Sequence, residues 1–366
     1  MNLHLPVKGL LPLTFMLLLF GQAPTTRAYD WSNDYGVDLR VGRENNFRLT
    51  ETNEIDTTST RVGAFANIRG STEISSIGLT LGANSIAYSE SGIEDSDGYS
   101  LTFDASRRGE RLSGNLAVSA ASESTTETEL FDTGNVIDGQ RDTTRVAPGL
   151  SYRLDERNSV FANLSASDVT YDTVSLIEYT DTALSVGWGY ALDEASDFSL
   201  TLRTSQYDPE DDETTEIDSL NLGYEIRTSE VTRYAFSIGY SEVDRPGSSE
   251  TGGDYAIDVS HRPDERNSFA FGLGNSYQGS GAGEVRDEDR LSLRWDHALS
   301  DRSQLTLSAD AISNDIRDYT TILFGGSYQY TREVSLGANL RYRRQDSDIV
   351  DADSSGVFFS LSYSPI

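Results

Sequence analysis

The chain has no cysteine, one lysine, three histidines and, past its first twenty residues, no apolar run long enough to form a membrane-spanning helix. Each absence narrows the reading. Without cysteine there is no lipid-modified amino-terminal cysteine, and the chain is suited to an oxidising compartment crossed without disulfides. Without an apolar run of eighteen residues, the protein is either water-soluble or crosses a membrane as strands. Basic residues are scarce too: 29 Lys and Arg stand against 59 Asp and Glu, for a formal net charge of −30. That balance excludes nucleic acid as a partner, because phosphate binding needs a basic surface.

The single lysine, Lys8, precedes an apolar stretch from Leu10 to Phe20 and then small and polar residues up to Ala28. This is the three-part layout of a secretory signal peptide with cleavage after Ala28, and the apolar part is too short for a bilayer core of roughly 30 Å. Residues 1–28 are therefore read as a leader and residues 29–366 as one domain. Lys8 and Arg27 leave with the leader, so every mature cation is an arginine. Genomic base composition explains this, and so does bidentate pairing with lipid phosphates or carboxylates.

From Val37 to Tyr363 one pattern repeats, with segments that alternate apolar and polar separated by polar, acidic or glycine-rich connections. Leu184, Val186, Trp188 and Tyr190 share one face while Ala183, Ser185, Gly187 and Gly189 share the other. Leu336, Ala338, Leu340 and Tyr342 likewise oppose Gly337, Asn339, Arg341 and Arg343. A soluble sandwich would also alternate, and the connections separate the two readings. Short turns near residues 69–75, 107–111, 155–159, 193–197, 227–232, 262–267, 300–303 and 331–333 alternate with long connections near 42–58, 89–98, 122–143, 172–181, 208–216, 241–254, 278–289, 313–318 and 344–355. These predict an all-β, transmembrane, antiparallel up-and-down barrel of about eighteen strands, with sixteen the nearest alternative, both chain ends and the short turns periplasmic, and long acidic loops outside. One turn occurs twice, as Asp155-Glu156-Arg157-Asn158-Ser159 and Asp264-Glu265-Arg266-Asn267-Ser268, through convergent turn chemistry or hairpin duplication.

Aromatic residues fall where strands meet connections. Tyr88, Tyr99, Tyr171, Tyr207, Tyr240, Tyr255, Tyr277 and Tyr319 are expected in an outer belt, and Tyr152, Trp188, Tyr190, Tyr234, Trp295, Tyr328 and Tyr330 in a periplasmic one. The last strand carries Gly356 and then Phe359, Leu361 and Tyr363 on one face, similar to the signal by which barrels engage their assembly machinery through strand addition. The chain continues past this signal as Ser364-Pro365-Ile366, whereas the usual signal stops on an aromatic.

Little points to catalysis. His261 and His297 follow the apolar phase, away from any lumen, so a nucleophilic serine would lack a base, and no catalytic residue or cofactor is expected. The run Asp208, Glu210, Asp211, Asp212 is a weak candidate for a cation and otherwise a solvated acidic loop. The polar phase yields an expected lumen lining of Arg40, Arg61, Arg153, Arg203, Arg294, Arg341 and Arg343 with Asp104, Asp258, Asp296 and Asp310, which suits either a water-filled channel or a closed barrel with internal ion pairs.

The segment Asn45-Asn46-Phe47-Arg48-Leu49-Thr50, its acid-rich loop and the strand from Arg61 to Arg69 resemble the β-barrel porin type 2 family, found beside exopolysaccharide and exosortase gene clusters. The resemblance implies an outer-membrane barrel of a Gram-negative bacterium that passes polysaccharide or small solutes, in contact with lipid, lipopolysaccharide and the barrel-assembly machinery. In that reading Arg203, Arg294 and Arg341 guide anionic sugars. The competing expectation is a non-conducting structural or adhesive barrel, favoured if a long connection such as 122–143 plugs the lumen.

Overall fold

Successive side chains of a strand point to opposite sides of its sheet, and in the computed structural model the alternating segments are strands throughout. The structure describes residues 29–132, 137–210, 213–347 and 350–365. The leader assigned to residues 1–28 lies outside the described residues.

The strands are β1 (Asp30–Glu44), β2 (Thr57–Ser71), β3 (Ser75–Tyr88), β4 (Ser96–Arg108), β5 (Leu112–Ser124) and β6 (Gln140–Arg153). Next come β7 (Asn158–Tyr171), β8 (Tyr179–Ala191), β9 (Ser196–Pro209), β10 (Thr215–Ser229), β11 (Thr232–Arg245) and β12 (Ser248–His261). The last six are β13 (Asn267–Gly279), β14 (Val285–Ser300), β15 (Ser303–Ser313), β16 (Arg317–Gln329), β17 (Val334–Ser347) and β18 (Asp351–Tyr363). Each strand pairs antiparallel with the next, and β18 pairs back onto β1. All eighteen form one closed sheet in which every strand is paired on both sides along at least part of its length, which meets the demand that backbone groups in lipid find partners internally. Val37 lies opposite Tyr363, so both chain ends sit at the short-turn end.

The outward face carries Leu200 and Leu202, Leu220 and Leu222, Phe236 and Ile238, Leu336 and Leu340, all exposed large hydrophobics. A continuous apolar surface of this size would not be tolerated in water, and it forms the band that faces hydrocarbon. Among the described residues no helix is long and apolar enough to cross a membrane.

Two expectations need correction. Several connections read as long loops are strand. β11 and β12 are joined by Pro246 and Gly247 alone, with Gly247 at φ +81°, which the third position of a type II turn requires. Likewise only residues 314–316 separate β15 from β16. Outside the bilayer neither face of a strand must be apolar, so alternation vanishes while the ladder hydrogen bonds persist. The outer aromatic belt is also smaller than expected. Tyr99, Tyr240 and Tyr255 are exposed, but Tyr171, Tyr207 and Tyr319 are buried inside the mouth and Tyr277 packs beside them. They anchor two apolar clusters within the barrel, one of Val169, Tyr171, Leu176, Tyr179, Tyr207 and Val285, the other of Leu49, Tyr319 and Ala352.

The remaining departure is a short helix, α1 (Thr125–Asp132), in the connection after β5. Thr125, Thr126 and Glu129 are buried, so the helix lies within the barrel mouth.

Candidate functional site

One stretch of inner wall gathers the arginines. Arg40 on β1 stands directly opposite Arg61 on β2, while Arg341 and Arg343 project from β17, separated from β1 only by β18. Like charges placed opposite each other across a strand pair are unfavourable, and other groups offset them. Glu44, 2% exposed, pairs with Arg341 at 2.5 Å and with Arg343 at 3.0 Å, and accepts a hydrogen bond from Ser354. The ring of Phe358 lies between two guanidiniums, 4.2 Å from Arg40 and 4.8 Å from Arg341, in cation–π geometry. Gly42 makes room for that ring, since a Cβ there would overlap it. Arg343 also lies over Phe47 and donates to the Phe47 carbonyl at 2.8 Å.

The outer connections fold inward onto this wall and onto one another. In the connection after β1, Asn46, Leu49 and Asn53 adopt positive φ, curling the chain so that Phe47 and Leu49 are buried. Arg48 from that connection reaches the carbonyl of Gly92 at 2.6 Å and pairs with Asp138 beyond α1. Glu129 of α1 accepts from Tyr171 at 3.0 Å and pairs with Arg141. Ile177 N–H in turn donates to Gly281, in the tip that joins β13 to β14, at 2.8 Å. Between the arginine wall and the base of α1 a cavity of about 360 Å³ remains, edged by Arg61, Arg341, Arg343, Glu123, Thr128 and Tyr319 among others.

The β13–β14 hairpin contributes a second layer. β12 and β13 are hydrogen-bonded only from Ala256 opposite Gly274 to His261 opposite Phe269. Above that point the hairpin leaves the wall and lies against the inner faces of β9 to β12. Val285 packs on Tyr207, Tyr207 donates to the Ser280 carbonyl at 2.6 Å, and Arg245 donates to the Val285 carbonyl at 3.0 Å.

The other lumen candidates lie on the inward face without joining this group. Arg203 stands between Ser185 and Ser219, within electrostatic reach of Asp181, which Arg145 also approaches. Asp104 lies between Gly78 and Ala117, and Asp310 between Ser292 and Thr321. Arg294 pairs with Asp296 at 2.7 Å near the periplasmic end, where Arg153 and Asp258 edge a cavity of about 480 Å³. Of the acidic run, Asp208 accepts from Thr214 at 2.7 Å, and Asp211 and Asp212 lie outside the described residues. Among the described residues no three His, Asp or Glu side chains are arranged as metal ligands. Gly356 faces Glu44 and Arg341, while Phe359, Leu361 and Tyr363 point outward and are exposed.

Sequence reading missed Glu44, Phe358 and Glu129, and placed Tyr207 in the outer aromatic belt rather than inside the mouth. Glu44 shares the inward phase of Arg40, which was a usable signal. Glu129 and Tyr207 had none, because their partners come from distant connections.

The repeated turn holds the periplasmic rim. Asp155 accepts from the backbone N–H of Arg157 and Asn158, each at 2.8 Å, and Asp264 accepts identically from Arg266 and Asn267. The Asn267 side-chain amide, then the backbone bonds, hold the Asp264 carboxyl below its usual range, and the Arg157 N–H followed by the Asn158 side-chain amide do the same for Asp155, since each bond favours the charged form. Each asparagine then accepts from an indole N–H, Trp188 at 3.1 Å and Trp295 at 3.2 Å, fixing the ring at the lipid–water boundary. His261 and His297 sit on the outward face here, bonded to Thr232 and Asn267.

No protein-family model matches this chain and no curated protein does. Solved structures do share its fold. Pseudomonas aeruginosa OccK2 (OpdF) in complex with glucuronate aligns at a TM-score of 0.50 with 11% identity, over 92% of this chain and 99% of that one. Pseudomonas aeruginosa OccK9 (OpdG) aligns at 0.50 with 13% identity, over 91% and 99%. At such identity the likeness concerns fold. Closed eighteen-strand topology, periplasmic chain ends and the apolar outward band make this chain a β-barrel of the Gram-negative outer membrane.

Proposed function

We propose that the protein is a non-enzymatic diffusion channel for small water-soluble molecules, with its selective region between the arginine wall and α1. The observation that carries this reading is the cavity edged by Arg61, Arg341 and Arg343 on one side and by α1 on the other. A passage narrowed by packed side chains and lined by fixed charge sorts solutes by size and sign. The arginines suit small anions such as sugar acids, and one structural neighbour was solved with glucuronate. A hydrated polysaccharide strand is disfavoured, because inward-folded connections occupy the bore it would need.

The outward Phe359, Leu361 and Tyr363 are proposed to engage the assembly machinery, and the acidic outer rim to contact lipopolysaccharide through divalent cations. Swelling of liposomes carrying the refolded barrel tests the channel. Uptake of a sugar acid should exceed that of a neutral sugar of equal size, and Arg61→Gln should reduce this preference. Equal uptake of both sugars would remove the role of the arginines. A folded barrel that admits neither would favour the second reading, a closed structural barrel, which the knot of Glu129, Tyr171 and Gly281 supports.

A further inference from the structure

We infer that the outer half of the β13–β14 hairpin is a strap with two seats: the tucked position seen here, and a place in the barrel wall beside β12 that the sheet keeps vacant. The tucked seat is described above. The second is defined by what the departure of the hairpin leaves behind. β12 continues to Ser248, still paired with β11, yet beyond Ala256 no strand among the described residues is hydrogen-bonded to its other side. An unpaired edge of this kind is a template for pairing, and the strand that fits it by sequence order is β13.

The branch point is built to let the ladder stop. Asn275 accepts from the Tyr255 N–H and donates to the Gly253 carbonyl, both at 2.8 Å, so one side chain satisfies two backbone groups that the next rung would have used. The tip is shaped for close approach without bulky interlocking. A Cβ on Gly279 would overlap the Tyr207 ring, and one on Gly281 would meet the Tyr171 hydroxyl. Electrostatics oppose the tucked seat, since Asp287 on the strap interacts unfavourably with Asp254 and Glu250 on the wall beneath it and with its neighbour Asp289. Arg245 answers part of this by pairing with Glu250 at 2.6 Å. The strap is thus held by a few hydrogen bonds and one apolar cluster against like-charge repulsion, with an unoccupied ladder alongside.

Continuing the register of Ala256 opposite Gly274 brings Thr251 opposite Gly279 in the wall seat. In the tucked seat Gly279 rests on Tyr207 of β9, three strand spacings from β12, on the order of 14 Å. Cysteines cannot be bridged when their Cα atoms are more than about 7 Å apart. The test is the full-length Thr251→Cys/Gly279→Cys variant, refolded into lipid bilayers and exposed to a mild oxidant, in a chain with no cysteine of its own. The expected result is an intramolecular disulfide, read as a reductant-sensitive gel shift. Cysteines that stay unbridged while each reacts with a small thiol reagent would overturn the strap.

Because Gly279→Cys alone crowds Tyr207, a second variant leaves the tip glycines in place. Glu250→Cys/Ser280→Cys, opposed in the same extended register, should bridge as well although Tyr207 of β9 holds the Ser280 carbonyl in the tucked seat, and failure of both pairs rejects the second seat. The functional consequence rests on the channel reading, and conductance separates the two. A disulfide with raised, reductant-reversible conductance supports both strap and channel, whereas a disulfide in a silent barrel keeps the strap and rejects the channel.

Discussion

Glu44 shows how much one side chain organises. It is the acid among four inward arginines, buried, and bonded to two of them and to Ser354. Removing one partner of a buried ion pair costs about 3–5 kcal/mol, because the other charges stay buried without compensation. Glu44→Ala should therefore lower unfolding stability by about that amount, measured by urea titration of the bilayer-inserted barrel, while Glu44→Asp should recover part of it. At the periplasmic rim the prediction concerns pH. Asp155 and Asp264 have folded pKa values below the unfolded value of about 3.9. Their contribution is complete above that value and is lost as pH falls through the folded pKa. Unfolding of Asp155→Asn/Asp264→Asn should accordingly be less sensitive to acid below about pH 4 than that of the parent, with little change in slope above pH 6. Arg40, Arg61, Arg341 and Arg343 were legible in the sequence because strand parity alone assigns them to the inner face. The pairing of Arg341 and Arg343 with Glu44 was not, since the Arg341 bond joins residues 297 positions apart.

At the scale of elements, the membrane-crossing halves of the strands were legible and the outer halves were not. The bilayer imposes an apolar side on every strand, and that side writes a period of two into the sequence. Outside the bilayer the constraint lapses, so residues 241–254 read as loop although they form two strands around a two-residue turn. Gly247 carries that turn: Gly247→Val should destabilise the hairpin by about 1–2 kcal/mol, because a branched residue resists positive φ, with hydrogen exchange at residues 241–254 as the readout. Helix α1 escaped notice because eight residues with one apolar pair leave no clear helical period. Thr128→Pro removes a helical hydrogen bond and clashes with the preceding turn. It should dislodge α1 and increase conductance in planar bilayers, while the apolar belt and the folded-barrel gel mobility stay unchanged.

For the whole molecule, net charge and local charge act in opposite senses. The chain carries −30 overall, so cations are concentrated near its acidic outer surface, while the wall around Arg61 favours anions within. Reversal potentials across a salt gradient resolve the contest: Arg61→Glu should shift selectivity towards cations, and a change in the opposite direction would place the ion path elsewhere.

Two joints in the sheet are short, the six residue pairs between β12 and β13 and the eight between β18 and β1. They bound a panel of six strands, β13 to β18, that carries both the strap and Arg341 with Arg343. A closed ring of hydrogen-bonded strands is nearly inextensible along its perimeter, so its cross-section alters by becoming more or less oval, with curvature changing first at its most compliant joints. Lateral pressure from the bilayer would then tilt this panel as a plate, and a thicker or more crowded membrane would alter the width of the mouth with no ligand bound at all.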